Sequence, residues 1–338
     1  IMTDKIIGMY VHQHWPYHYP YAARTWQLED WKKYGSCLKE LGYNALLFWP
    51  MLEVIPNPMT ESDERNQGKH SKVVEIYQKE LGIKVYLALC PNVMPLSEVA
   101  SRTTMEDRHF FYCDARVNPE DPAAVDAMIK WREILLQPYK DVDGITIIDS
   151  DPGGYPGSTN EEYVNLIAEH RKMFDRLNPE IELIYWVHAG WEGYSRFYQT
   201  GEFEFGTEEE FMDTMQRIKD LNPEPWGIAN GFDYAKKLGI EERVFGYNYG
   251  AIEGEPTFPF TNFGGDSAYE AGGLDAPRGV MGNAQNHCLQ LPNTLAFVRG
   301  AQQNPIRESD YVNFANELIV GKGEVIVESW KALSEENS

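Results

Sequence analysis

Two carboxylates stand two residues apart in Asp143-Gly-Ile-Thr-Ile-Ile-Asp-Ser-Asp-Pro-Gly-Gly-Tyr-Pro-Gly-Ser158. Acids held this close can divide the work of acid catalysis. One delivers a proton while the other orients a substrate or tunes its neighbour. The apolar run Ile145 to Ile148 reads as a strand. If it continues, Asp149 and Asp151 share one face with Cα atoms ~6.6 Å apart. Pro152 cannot donate to a ladder and Gly153-Gly154 release the chain, so the strand stops near Asp151. A helical pattern follows from Asn160. Acids at a strand-to-helix junction sit where α/β barrels do their chemistry. Either Asp alone also suits a plainer role, capping a turn or the next helix.

Other apolar runs end in similarly reactive loops. The run Lys5 to Val11 exits into His12-Gln-His-Trp-Pro-Tyr-His-Tyr-Pro-Tyr21, then Arg24 and Trp26. Here His12, His14 and Arg24 offer hydrogen bonds, and Trp15 and Trp26 offer walls. The H-x-H spacing alone is permissive, and no Cys or H-E-x-x-H helix supports it, so no metal is expected. Trp49 ends a second run, and Glu53 follows it. His188-Ala-Gly-Trp-Glu-Gly-Tyr194 adds His188, Trp191 and Glu192. The run ending in Tyr247 and Tyr249 opens a long loop with Glu253 and Glu255, and His287 follows a last run. A loop that long inside a domain is usually functional. For each ring or histidine the plainer reading is packing within its own loop.

The elements that must position these groups repeat. Apolar strands alternate with amphipathic helices, as in Leu28 to Leu41, closed by Gly42, and Lys72 to Leu81, closed by Gly82. Helices are also expected over Ala123 to Leu136, Glu161 to Leu177 and Glu208 to Leu221. Between Ser97 and Asp121 the pattern weakens, with a short strand expected over Phe110 to Asp114 in a long loop. Eight β/α units give a (β/α)8 TIM barrel, an α/β fold, over residues 1–305. Residues 306–338 form a short C-terminal helical cap packed on it. The mouths of separate strands would then bring the polar groups to one face.

Composition bounds the partners. The 338 residues are 43% apolar, enough for a large core, and carry 52 acidic against 30 basic side chains, a net charge of −22. That charge argues against nucleic acid or an anionic membrane. Four scattered cysteines form neither a zinc spacing nor a disulfide framework. No apolar run approaches the ~20 residues that cross a bilayer. The location is left open; a removed export signal would make the protein secreted or periplasmic. No Gly-x-Gly-x-x-Gly, Walker or Gly-x-Ser-x-Gly motif occurs, so nucleotide chemistry and serine hydrolysis have no support. No cofactor is expected.

Carboxylates beside aromatic rings are what glycoside cleavage uses. Ile147-Ile-Asp-Ser-Asp-Pro-Gly-Gly-Tyr-Pro-Gly-Ser158 resembles the strand-four mouth of family 67 α-glucuronidases, whose general acid lies in a similar Ser-acid-Gly-rich run. The pair Asp149 and Asp151 is similar to the acidic pair of family 20-type β-hexosaminidases. In those families the acid is mostly Glu, and the hexosaminidase acids are adjacent. The resemblance implies a TIM-barrel glycoside hydrolase with a carbohydrate substrate. Asp151 would be the general acid, Asp149 would orient the substrate or tune the acid, and Glu253 or Glu255 would be a second carboxylate. Substrate contacts would come from His12, His14, Trp15, Arg24, Trp26, Trp49, His188, Trp191, Glu192, Tyr247, Tyr249 and His287. The competing reading is a sugar-binding barrel, or a lyase or isomerase using the histidines. Oligomeric state stays open.

Overall fold

Short apolar runs, buried on both faces, make the strands. Ala45–Phe48, Gly144–Ile148 and Trp226–Ala229 are buried at every position, as strands of a covered parallel sheet must be. The computed structural model describes residues 5–14, 22–109, 114–248, 263, 267–284 and 287–334. Its main sheet contains Ile6–Val11 (β1), Ala45–Phe48 (β2), Lys84–Leu89 (β3), Gly144–Ile148 (β4), Glu182–Trp186 (β5), Trp226–Ala229 (β6), Val244–Asn248 (β7) and Gly279–Ala284 (β8). These eight parallel strands close into a barrel in the order β1-β8-β7-β6-β5-β4-β3-β2. The fold is a (β/α)8 TIM barrel with C-terminal helices, as the alternation of elements predicts.

The chain divides into two compact units, Ile1–Leu47 with Gly246–Ser338, and Phe48–Phe245. In the first, the C-terminal helices Glu308–Leu318 and Gly323–Ala332 bury Phe314, Val327 and Trp330 with Phe263 and Leu295. In the second, β4 pairs with β5 in the register Gly144↔Glu182 to Ile148↔Trp186. A two-stranded antiparallel ribbon, Val93–Pro95 with Asp114–Arg116, is added to this unit. Among the described residues no helix is long and apolar enough to cross a membrane.

Caps set most helix boundaries. Thr159 accepts from the Glu162 N–H and opens Asn160–Leu177, and Thr207 does the same with Glu210 for Glu208–Leu221. Gly42 and Gly82, at φ of 106° and 66°, stop the first two helical segments, as their positions in the sequence predict.

Three local expectations need correction. The second helix is longer than its apolar pattern predicts: it begins at Glu61 and runs through a wide turn to Leu81. Thr60 and Asp63 form the capping box that starts it. The mouth after β5 is itself helical, Trp191–Thr200. Lastly, β4 ends at Ile148 and does not carry both acids. Asp149 keeps one ladder bond, its N–H donating to Trp186 O at 3.1 Å. Asp151 then turns away in the left-handed region, at φ of 55°, a conformation Asp tolerates better than most residues. The alternation that would have put both side chains on one face is broken there.

Candidate active site

The barrel's fourth strand delivers two carboxylates to opposite environments. Asp149 is fully buried. Its Oδ1 accepts from Ser150 Oγ at 2.9 Å and from the N–H groups of His188 and Gly190, both at 3.2 Å. Its Oδ2 accepts from Tyr185 Oη at 3.0 Å. Ser150 Oγ in turn accepts from the Ala189 N–H at 2.9 Å. The end of β4 therefore holds the loop after β5 by its main chain. Burial pushes Asp149 above the ordinary carboxylate range, while the His188 imidazole and these donors pull it partly back.

Asp151 is the accessible acid, with its side chain 51% exposed. His188 Nε2 lies 3.4 Å from its Oδ2, and Tyr194 Oη donates to Oδ1 at 3.3 Å. Burial first, and then the Asp151 charge, push the Tyr194 phenol up, so it stays protonated and donates. The helix Trp191–Thr200 brings Tyr194 and Tyr198 to one face, four residues apart. Arg116, from the ribbon, donates through Nε and Nη2 to Tyr198 Oη at 3.0 and 2.8 Å, and through Nη1 to Asp114 at 2.6 Å. Its guanidinium lies 5.3 Å from the Tyr198 ring centroid. The result is a carboxylate flanked by an imidazole and a phenol, with a cation held in the same group of side chains.

A second, wholly internal network lies at the mouths of β2 and β3. Glu53, buried, accepts from the Cys90 N–H at 2.7 Å and from Trp49 Nε1 at 3.1 Å. Burial raises its proton affinity; the Arg132 charge and these donors offset part of that. Arg132 donates to Pro91 O, Val93 O and His170 Nε2. An arginine can only donate, so Nε2 is the acceptor and Nδ1–H faces Leu166 O at 2.6 Å. Burial and the Arg132 charge lower the His170 pKa to about 3.

Several sequence-predicted contacts take other places. Trp191 is fully buried, its ring stacked on Tyr163 at 5.2 Å and its Nε1 donating to Ser158 Oγ at 2.9 Å. Trp49 is also interior. A wall for a sugar ring needs an open face, which neither has, so both are corrected to core rings. Glu192 is occupied at the start of the helix Asn160–Leu177, accepting from the Asn160 N–H at 2.8 Å. Asp149, expected to orient the substrate or to tune the acid, is fully buried, which corrects the first of these roles.

In the other unit, buried Arg24 donates to the carbonyls of Gln13 and His14 and so pins its own loop. Trp26 and His287 are interior rings, 5.1 Å apart in an edge contact. The Tyr10 ring meets Tyr247 at 6.0 Å and His12 at 5.7 Å, and His12 meets His14 at 4.3 Å. Among the described residues no group of three His, Cys, Asp or Glu side chains could hold a metal. Trp15, Tyr249, Glu253 and Glu255 lie outside the described residues.

The sequence reading missed Tyr194, Tyr198, Arg116 and Asp114 as members of this group. Tyr194 and Tyr198 carried a signal, since aromatics four apart share a face once the stretch is helical. Arg116 lay between Ser97 and Asp121, where the periodicity weakens.

No protein-family model matches the chain, and no curated protein matches it. Solved structures do. A GH138 enzyme targeting pectin rhamnogalacturonan II matches with a TM-score of 0.56 at 12% identity, over 98% of this chain and 44% of that one. This chain therefore spans less than half of that enzyme. A structure of the pneumococcal virulence factor StrH, studied for N-glycan recognition and hydrolysis, matches with a TM-score of 0.52 at 10% identity, over 98% of both chains. A β-N-acetylhexosaminidase from Bacteroides fragilis matches with a TM-score of 0.53 at 10% identity, over 94% of this chain and 71% of that one. At these identities the likeness is one of fold. The chain shares its barrel fold with these structures.

Proposed function

We propose that this protein hydrolyses glycosidic bonds, with Asp151 as the group that protonates the leaving oxygen. The observation that carries the reading is the placement of Asp151. It is the accessible carboxyl group just beyond the end of the fourth barrel strand, held between His188 Nε2 and Tyr194 Oη. A carboxyl and an imidazole this close can share one proton. With one proton between them, they can pass it to the glycosidic oxygen as the C–O bond breaks. Water supplies the hydroxyl that ends on the anomeric carbon, and its remaining proton restores the pair. Tyr194 fixes the other carboxylate oxygen.

Asp149 acts through His188. It grips the main chain of residues 188 and 190 and so sets where the imidazole stands. A second carboxylate is still needed, as nucleophile or as base for water. Glu192 and Glu53 are committed to internal donors. Glu253 or Glu255, in the long segment after β7, remains our assignment on sequence grounds. The fold likeness to glycoside hydrolases supports the reaction class and leaves the sugar unspecified.

A panel of aryl glycosides, differing in sugar and anomer, tests the reading by release of the phenol. Hydrolysis of at least one member is expected. Saturable binding of a member, by calorimetry, without release from any would favour the sugar-binding alternative instead.

A further inference from the structure

We infer that Tyr194, Phe203 and Phe205 form a stacking platform for the sugar rings of an extended, uncharged glycan, leading away from Asp151. Phe203 and Phe205 are 47% and 62% exposed. They alternate with Glu202 and Glu204, which are also exposed. The rings tile edge to face. Phe203 lies 5.1 Å from Phe205 and 5.9 Å from Tyr194. Tyr194 donates to Asp151, so the ring strip begins at the proposed acid.

The loop carrying the phenylalanines is braced. The Gly206 N–H donates to Ala189 O at 2.8 Å, and the Glu202 N–H to Thr200 Oγ1 at 3.1 Å. A Cβ at Gly193 would stand 2.7 Å from Gly206 N and 3.0 Å from Glu204 O, so the loop lies directly against the helix Trp191–Thr200. These main-chain bonds use neither phenylalanine side chain, although the Phe203 ring also meets Tyr194 and Phe197 of that helix. Folding alone gives no reason to leave both rings in water beside an active-site carboxylate.

The chemistry of the strip selects its occupant. Aromatic faces take the C–H face of a sugar ring, and exposed carboxylates, which only accept, take its hydroxyls. An anionic lipid surface would meet Glu202, Glu204 and a chain of net charge −22, which repels it. The inference rests on the hydrolase reading for its direction, but its binding is measured separately.

The test is affinity electrophoresis of the Asp151→Asn protein, so that the probe survives. Native gels contain one of four uncharged glycans: xyloglucan, galactomannan, glycol chitin or amylose. Retardation is expected in at least one gel. It should weaken tenfold or more in the Phe203→Ser/Phe205→Ser variant, with the fold retained because the loop's main-chain bonds do not depend on either ring. No retardation in any gel, or equal retardation of the variant, overturns the platform. So does flotation with phosphatidylcholine/phosphatidylglycerol vesicles that depends on the two rings. Retardation without hydrolysis of any aryl glycoside by the Asp151 protein leaves the platform standing and removes the hydrolase reading; hydrolysis without retardation does the reverse.

Discussion

The His188 imidazole and the Asp151 carboxylate meet at 3.4 Å, Nε2 to Oδ2, while the His188 main-chain N–H is held by Asp149 at 3.2 Å. One residue thus joins the buried acid to the accessible one. Replacing the imidazole removes a contact to a charged group, worth about 1.5–3 kcal/mol. His188→Gln should therefore lower kcat roughly 10–100-fold with KM little changed. The main-chain bonds to Asp149 persist in this variant, so melting should hold. Unchanged kcat on an alkyl glycoside would take His188 out of proton delivery.

Trp191 makes the opposite prediction. Its ring is enclosed, stacked on Tyr163 and tied to Ser158. Truncation leaves a cavity and removes the donor to Ser158 Oγ, so Trp191→Ala should cost about 3–5 kcal/mol. A denaturant midpoint measures this. Unaltered stability with a raised KM would restore the ring to the substrate wall.

His170 predicts a pH dependence. Its folded pKa, about 3, lies below the ordinary value of 6.5. The stability it contributes is therefore complete above 6.5 and is lost as pH falls from 6.5 toward 3, where the unfolded chain takes up the proton first. Between pH 6.5 and 4 the loss is about 3 kcal/mol. Burial raises Asp149 and Glu53, so their contributions have the opposite sign, present in acid and lost as pH rises. Comparison with His170→Gln isolates the imidazole. The parent should lose more stability than the variant over that interval in chemical denaturation; parallel curves would contradict the neutral, Arg132-bound imidazole.

The barrel was legible because its strands are apolar runs and most of its helices are amphipathic in the ordinary way. Glu61–Glu75 was not, though it has a helical period. Its buried positions as far as His70 are Ser62, Asp63, Asn66, Gln67 and His70, polar residues that a search for apolar spacing passes over; Val73 and Val74 join them only in the last turn. They are satisfied from afar: Ser62 by the Met105 N–H, Asp63 by buried Arg108, Gln67 by Leu135 O. The Asp149/Asp151 pair was found by residue type, but its geometry was not. A turn at Asp151 depends on what Ser150 and Asp149 bind after β5, which local sequence does not reveal. Arg116 joined the site through a ribbon of three-residue strands, too short to show a period.

The central claim is that Asp151 protonates a leaving oxygen, and the Asp151→Asn variant tests it when assayed with two leaving groups on one sugar. An alkyl glycoside leaves only with a proton, whereas a dinitrophenyl glycoside needs little help. The account predicts a fall in kcat/KM of roughly 10²–10⁴-fold for the alkyl glycoside. The loss for the dinitrophenyl glycoside should be far smaller, and melting should be unchanged because the side chain is half exposed. Equal rates for parent and variant on the alkyl glycoside, at unchanged melting, would contradict it.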